Sequence, residues 1–286
     1  MAFSLMKRAY YSCDERQKRW YDSLPQNIRK IELDECCHTL MQIEKGLVEK
    51  DTENTWICDY AAKNGHLDCL QHARLMNLPW SSFTCTSAAS AGNLECLMWA
   101  HQNGCSLARM TSALAAKNGK LECLKYAREN LPPWNDNLTA MAAYSGSLEC
   151  LQYVHRSGSS WDPQTCYLAA LQGNLNCLQY AHENGCPWDE VTTYFAAGTG
   201  NLACLKYAHQ MGCQWDIDGI KKAMEEGHIS CLRYMRKHGC PWSREVCNWA
   251  IKKGYTDLLV GGNDDCPMCQ NLNLKRTANE FLSNSK

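Results

Sequence analysis

The sequence predicts an all-α chain of stacked helix–turn–helix units, an α-solenoid of about seven to eight copies without long β-hairpin fingers. Three observations predict it. A glycine recurs at Gly65, Gly92, Gly119, Gly146, Gly173, Gly200, Gly227 and Gly254, always 27 residues apart. A fixed period of this length marks a stacked array. A Cys-Leu pair keeps the same step from Cys69-Leu70 to Cys231-Leu232. Finally, two short helical patterns fill each period and leave no residues for a hairpin.

Residues 1–53 do not follow the period. Leu24-Pro25 with Ile28, Ile31 and Leu33, then Leu40, Ile43 and Leu47, read as one or two amphipathic helices. Leu40 and Ile43 fall 27 residues before Leu67 and Leu70, as in a degenerate half-repeat. The segment is expected to be a helical cap over the first unit's apolar face, because a solenoid must close its ends. A second reading makes Trp20 to Ile31 a rudimentary F-box-like helix of a ubiquitin-ligase subunit.

Residues 54–268 carry the repeats. A short polar residue opens each unit (Asn54, Ser81, Asn135, Asp162, Asp189, Asp216, Ser243), with Ala108 departing. Such residues cap free backbone N–H groups. Pro163 follows at the first helical position, where proline is favoured, so that helix is expected over Pro163 to Leu171. Alanine pairs such as Ala88-Ala89 and Ala169-Ala170 allow close backbone approach, and the periodic glycine then ends the helix in the left-handed conformation. His66, Asn93, Ser147, Asn174 and Asn201 are expected to cap the second helix. Acids such as Asp68, Glu95, Glu122 and Glu149 start it, and a base lies near its end at Arg74, His101, Arg128, His155, His182, His209 and Arg236, which suits the helix dipole. A second glycine and a Cys-Pro-Trp loop close the unit, as at Cys186-Pro187-Trp188. Residues 269–286 read as a polar tail.

Composition narrows the function classes. A net charge of −1 gives no general pull toward nucleic acid or an anionic membrane. No apolar run is long enough to span a bilayer. The start turns basic at Lys7-Arg8 before a signal-peptide core forms, so the chain is expected to be intracellular, in cytoplasm or nucleus, and monomeric. Twenty cysteines would suit a disulfide scaffold. Equivalent positions on neighbouring helices lie roughly 8–10 Å apart, beyond the ~7 Å Cα limit for a disulfide. The ladder is therefore expected to be reduced and to act as small apolar filler.

At Ala61-Ala62-Lys63-Asn64-Gly65-His66-Leu67, with paired helices and a closing Asn-Gly, the chain resembles the ankyrin repeat family. Residues 177–189, Cys-Leu-Gln-Tyr-Ala-His-Glu-Asn-Gly-Cys-Pro-Trp-Asp, resemble its short form, abundant in giant DNA viruses of amoebae and in some protists. The family's Thr-Pro-Leu-His start does not occur; the corresponding stretch reads Gln164-Thr165-Cys166-Tyr167. The resemblance implies a non-enzymatic protein-interaction module, with a viral effector of host pathways as one form of it.

Packing competes with each candidate chemistry. The tryptophans Trp80, Trp134, Trp161, Trp188, Trp215 and Trp242 could form a stacking rail, but each precedes an N-cap, where a hydrophobic residue staples the chain. The row His155, His182, His209 is too widely spaced for one metal ion. Cys36-Cys37-His38 and Cys266/Cys269 are single short clusters, short of the four ligands a structural zinc takes. No phosphate loop or nucleophile elbow appears. No catalytic residue, metal or cofactor is assigned.

Two positions on the first helix vary freely. One reads Thr86, Ala113, Ala140, Tyr167, Tyr194, Lys221, Asn248; the other Trp56, Phe83, Met110, Asn137, Gln164, Val191, Asp218, Glu245. Both are expected to be exposed. Partner contacts are assigned to Tyr167, Tyr194 and Lys221 and to the loop acids Asp189, Glu190, Asp216 and Asp218. Gly92, Gly119, Gly146, Gly173, Gly200, Trp161, Trp188, Trp215 and Trp242 are assigned to the repeat frame. A structural or assembly scaffold is the alternative function.

Overall fold

A computed structural model describes residues 5–23, 35–48, 55–131 and 137–259. Expectations for the segment from Leu24 to Leu33, for Asn54, Trp134, Asn135, Cys266 and Cys269, and for the 269–286 tail lie outside the described residues. Among those described there are eighteen α-helices, a short 3-10 turn at Thr256–Leu259 and no strand. No helix among them is long and apolar enough to cross a membrane.

The chain divides into two compact units, Met1–Asp136 and Asn137–Lys286. The first holds α1 (Leu5–Ser12), α2 (Glu15–Asp22), α3 (Glu35–Glu44), α4 (Thr55–Asn64), α5 (Leu67–Leu75), α6 (Ser82–Ala91), α7 (Leu94–Gln102), α8 (Arg109–Lys117) and α9 (Leu121–Asn130). The first helices of its repeats, α4, α6 and α8, pack in sequence, and so do the second helices α5, α7 and α9. α3 lies against α4 and α5 with Cys36, Cys37, Leu40 and Ile43 buried. The second unit holds α10 (Leu138–Ser145), α11 (Leu148–Arg156), α12 (Gln164–Gln172), α13 (Leu175–Glu183), α14 (Glu190–Gly198), α15 (Leu202–Gln210), α16 (Ile217–Glu226), α17 (Ile229–Lys237) and α18 (Arg244–Lys252). It repeats the two-row pattern, α10 to α18 in one row and α11 to α17 in the other.

The residues account for this packing. The alanine pairs are fully buried, so the first helices meet backbone to backbone across a thin layer of methyl groups. The leucine of each Cys-Leu pair, from Leu70 to Leu232, is also fully buried. Each such leucine is worth about 1.5–3 kcal/mol relative to exposure. Every cysteine among the described residues is a free thiol, and all but Cys13 are buried, as the filler reading expects.

The first-helix caps form as expected. Ser81 Oγ accepts from Phe83 N at 3.1 Å, Asp189 Oδ1 from Val191 N at 3.1 Å and Asp216 Oδ1 from Gly219 N at 2.9 Å. Ala108 has no cap bond. α12 starts one residue later than expected. Pro163 already has helical dihedrals (φ −54°, ψ −23°) but stands outside the helix as its cap residue, while Asp162 Oδ1 accepts from Gln164 N at 2.7 Å.

Candidate functional site

The frame between repeats differs from the expected second-helix caps. Only Ser147 caps as expected, its Oγ accepting from Cys150 N at 3.2 Å. Asn93, Asn174 and Asn201 make no cap bond to their own helices. Each instead reaches back to the preceding repeat. Asn174 Nδ2 donates to Ala143 O at 2.9 Å and Tyr144 O at 3.1 Å, and Asn201 Nδ2 donates to Ala170 O and Leu171 O at 2.9 and 3.0 Å. Asn93 does the same to Ala62 O and Lys63 O. The reason is chemical. The last carbonyls of a helix lack intrahelical donors, and an amide side chain supplies two N–H donors at once, which the shorter hydroxyl of Ser147 does not.

This contact also explains the periodic glycine. At Gly173 φ is +75°, a left-handed conformation that side chains with a Cβ adopt at a cost. A Cβ there would lie 2.7 Å from Asn201 Oδ1. Gly185 has a similar φ of +82° but open space around it. In the first repeat the place of this second glycine is taken by Asn77, the one non-glycine with positive φ among the described residues (55°).

The basic ladder also meets the tryptophans, at Trp80, Trp161, Trp188, Trp215 and Trp242. Trp188 stacks on His182 with ring centres 3.9 Å apart, and Trp215 on His209 at 4.3 Å. The Arg74 guanidinium lies 4.2 Å over Trp80, and that of Arg236 lies 4.8 Å over Trp242. The histidine's other partner is a tyrosine of the following repeat. His155 Nδ1 lies 2.9 Å from Tyr180 Oη, His182 Nδ1 3.0 Å from Tyr207 Oη, and His209 Nδ1 3.0 Å from Tyr234 Oη. The tyrosine ladder was missed in the sequence. Its signal was there, since Tyr126, Tyr153, Tyr180, Tyr207 and Tyr234 keep the 27-residue step. The Trp161 indole spans repeats too, donating from Nε1 to Asn184 O at 2.9 Å. Burial lowers the His209 pKa below its ordinary 6.5, and nearby His238 lowers it further.

What the frame leaves outward is a row of first-helix side chains. Trp56, Phe83 and Met110 are 37%, 64% and 57% exposed. At the same step in the second unit stand Asn137, Gln164, Asp218 and Glu245, exposed, and Val191, half-buried. The other variable position is not a free face throughout. Thr86 and Ala140 are buried because this position touches the neighbouring first helix; Thr86 Oγ1 lies 3.1 Å from Thr111 Oγ1. Tyr167 and Tyr194 are half-buried, and Tyr167 stacks on Phe195 at 5.2 Å. Lys221 forms an ion pair with Asp218 at 3.0 Å, a surface pair worth little. Asp189 and Asp216 cap their helices, and Glu190 is exposed. Lys221 and Asn248 do share a groove of about 420 Å³ between α16 and α18, with Met224, Glu245, Val246 and Trp249.

No protein-family profile matches the chain, and no curated protein does. Among solved structures it is similar to the human ASB11 ankyrin repeat domain, at 18% identity over 59% of this chain and 83% of that one, with a TM-score of 0.41.

Proposed function

We propose that the chain is a non-enzymatic interaction module that binds partner proteins through the outward row of its first helices. One observation carries the reading. At one first-helix position the side chain changes freely and is exposed at Trp56, Phe83, Met110, Asn137, Gln164, Asp218 and Glu245 and half-buried at Val191, while the periodic glycine and the Cys-Leu pair from Cys69 to Leu232 recur unchanged. Phe83 and Met110 stand exposed on a frame whose alanine pairs and Cys-Leu leucines are fully buried. Exposed aromatic and methionine side chains on a rigid support are what partner surfaces select. The resemblance of residues 54–268 to ankyrin repeats points the same way. The wealth of free thiols supports an intracellular setting, since such thiols persist in reducing compartments. Residues 1–53 serve in this reading as the cap, in line with the burial of Leu40 and Ile43 against α4 and α5.

The test is affinity purification from the native cell with three baits: the full chain, Phe83→Glu/Met110→Glu, and Tyr167→Ala/Tyr194→Ala/Lys221→Ala. Loss of a specific partner from a variant whose helicity and melting temperature are unchanged supports the assignment. Retention of the same partners by both variants overturns it. Stoichiometric presence in a purified particle, with no partner lost from either variant, would favour the assembly scaffold.

A further inference from the structure

Four buried side chains of ligand type converge where α3 meets the first repeat. Cys36 and Cys37 lie on α3, and His66 and Cys69 stand at the start of α5. Their donor atoms all lie within 4.8 Å of one another. Cys36 Sγ is 3.3 Å from His66 Nδ1 and 4.0 Å from Cys37 Sγ, and Cys37 Sγ is 3.1 Å from Cys69 Sγ. Around a tetrahedral zinc ion, with Zn–S near 2.3 Å and Zn–N near 2.0 Å, neighbouring donors stand about 3.5–3.8 Å apart. The separations here bracket that edge.

We propose that Cys36, Cys37, His66 and Cys69 form a structural zinc site that fastens the N-terminal segment to the first repeat. Three thiolates and one imidazole are a donor set of zinc fingers, and four protein donors with no outward face make a closed, structural site. Soft thiolate donors also suit iron–sulfur clusters, but four donors this close leave room for one ion and none for a cluster. Each thiol that binds gives its proton to the buffer, leaving Zn²⁺ with three thiolates and a net charge of −1.

The surroundings supply the opposite charge. The Lys7 ammonium, only 6% exposed, lies 3.4 Å from Cys69 Sγ and 3.0 Å from Asp68 Oδ1. A buried ammonium needs anionic company, and thiolates at Cys69 and Cys37 provide it beyond what Asp68 gives. Hydrogen bonds from outside the ligand set are a usual feature of metal sites.

Comparison with the other repeats isolates the feature. Cys69 belongs to a ladder whose later members fill space, but the position of His66 holds Asn93, Lys120, Ser147, Asn174, Asn201 and His228 further on. Among the described residues, only the first repeat also faces a Cys-Cys pair. His38, which the sequence grouped with Cys36 and Cys37, is exposed and packs edge-on against Tyr11 at 5.4 Å. Chain separations of 30 and 32 residues hide the true set from a motif search.

The experiment uses the full chain, purified reduced and supplied with zinc, then with cobalt(II). Elemental analysis should find one zinc per chain, and the cobalt form should show thiolate charge-transfer absorption and the intense visible bands of a tetrahedral ion. His66→Asn places here the residue of three later repeats, so the frame is kept. It should weaken zinc against a competing chelator at least about tenfold, and Cys36→Ser should do likewise. Cys123→Ser, the same ladder position elsewhere, should leave zinc bound. No zinc and no cobalt spectrum on the reduced chain would overturn the proposal. So would a Cys37–Cys69 disulfide as the purified form with no metal taken up after reduction. Zinc retained at full stoichiometry and affinity in both His66→Asn and Cys36→Ser would place the ion elsewhere and overturn it too.

Discussion

The two units share a frame and differ in the face it presents. Each uses the same glycine, the same amide reaching back to the preceding repeat, and the same basic side chain against tryptophan. Yet the outward row is Trp56, Phe83 and Met110 in the first unit and largely polar or acidic in the second, ending in Asp218 and Glu245. A common frame with two surfaces teaches that stability and recognition reside in different residues of one repeat. Substitutions should therefore separate them.

The largest effect should come from the frame. Gly173→Ala meets both a positive φ and the Asn201 amide, so it should cost about 2–4 kcal/mol. Gly185→Ala, with positive φ but open space, should cost about 1–2 kcal/mol. Urea unfolding of both variants checks the ranking. Gly65→Ala, where a Cβ would stand 3.0 Å from Asn93 Oδ1, asks whether the first unit pays a comparable amount. Equal costs at Gly173 and Gly185 would break the account of the amide.

Next comes the surface. Phe83→Glu/Met110→Glu should weaken a partner of the first unit at least about tenfold, as loss of an apolar anchor does, while shifting stability by less than about 0.5 kcal/mol. Asp218→Lys/Glu245→Lys should leave that partner alone and alter only contacts that weaken with salt. Binding isotherms at two ionic strengths distinguish the cases.

The smallest effect is a pH dependence. His209 binds its proton less readily in the folded chain than its ordinary 6.5. Above about pH 6.5 both states are neutral there and the contribution is complete. As pH falls through the lowered folded value, the unfolded chain takes up the proton first, so stability declines. His72, lowered chiefly by burial against the pull of Glu44, acts in the same direction in the first unit. Thermal melts from pH 7.5 to 5 should show the decline, and His209→Gln should reduce it.

Much of this was legible in the sequence. The period, the capping Ser81, Asp189 and Asp216, and the left-handed glycines follow from chemistry inside one repeat. What escaped depends on pairs in adjacent repeats. Asn174 reads as a cap until Ala143 and Tyr144 are placed beside it, and His182 reads as a dipole partner until Tyr207 arrives. The candidate contacts fared unevenly for the same reason. Asp189 and Asp216 are engaged in capping, and Thr86 and Ala140 are covered by a neighbouring helix that one repeat's pattern does not contain.

The amide that reaches backward gives the chain a direction in time. Ala62 finds its side-chain donor 31 residues downstream, in Asn93, and Ala170 waits as long for Asn201. On a ribosome, the first-helix ends that Asn93, Asn174 and Asn201 close thus stay open until the following turn has emerged. Growth from the amino end closes these gaps in turn, so a nascent chain that has passed Ala170 but not reached Asn201 carries an unfinished step, and one truncated there keeps it.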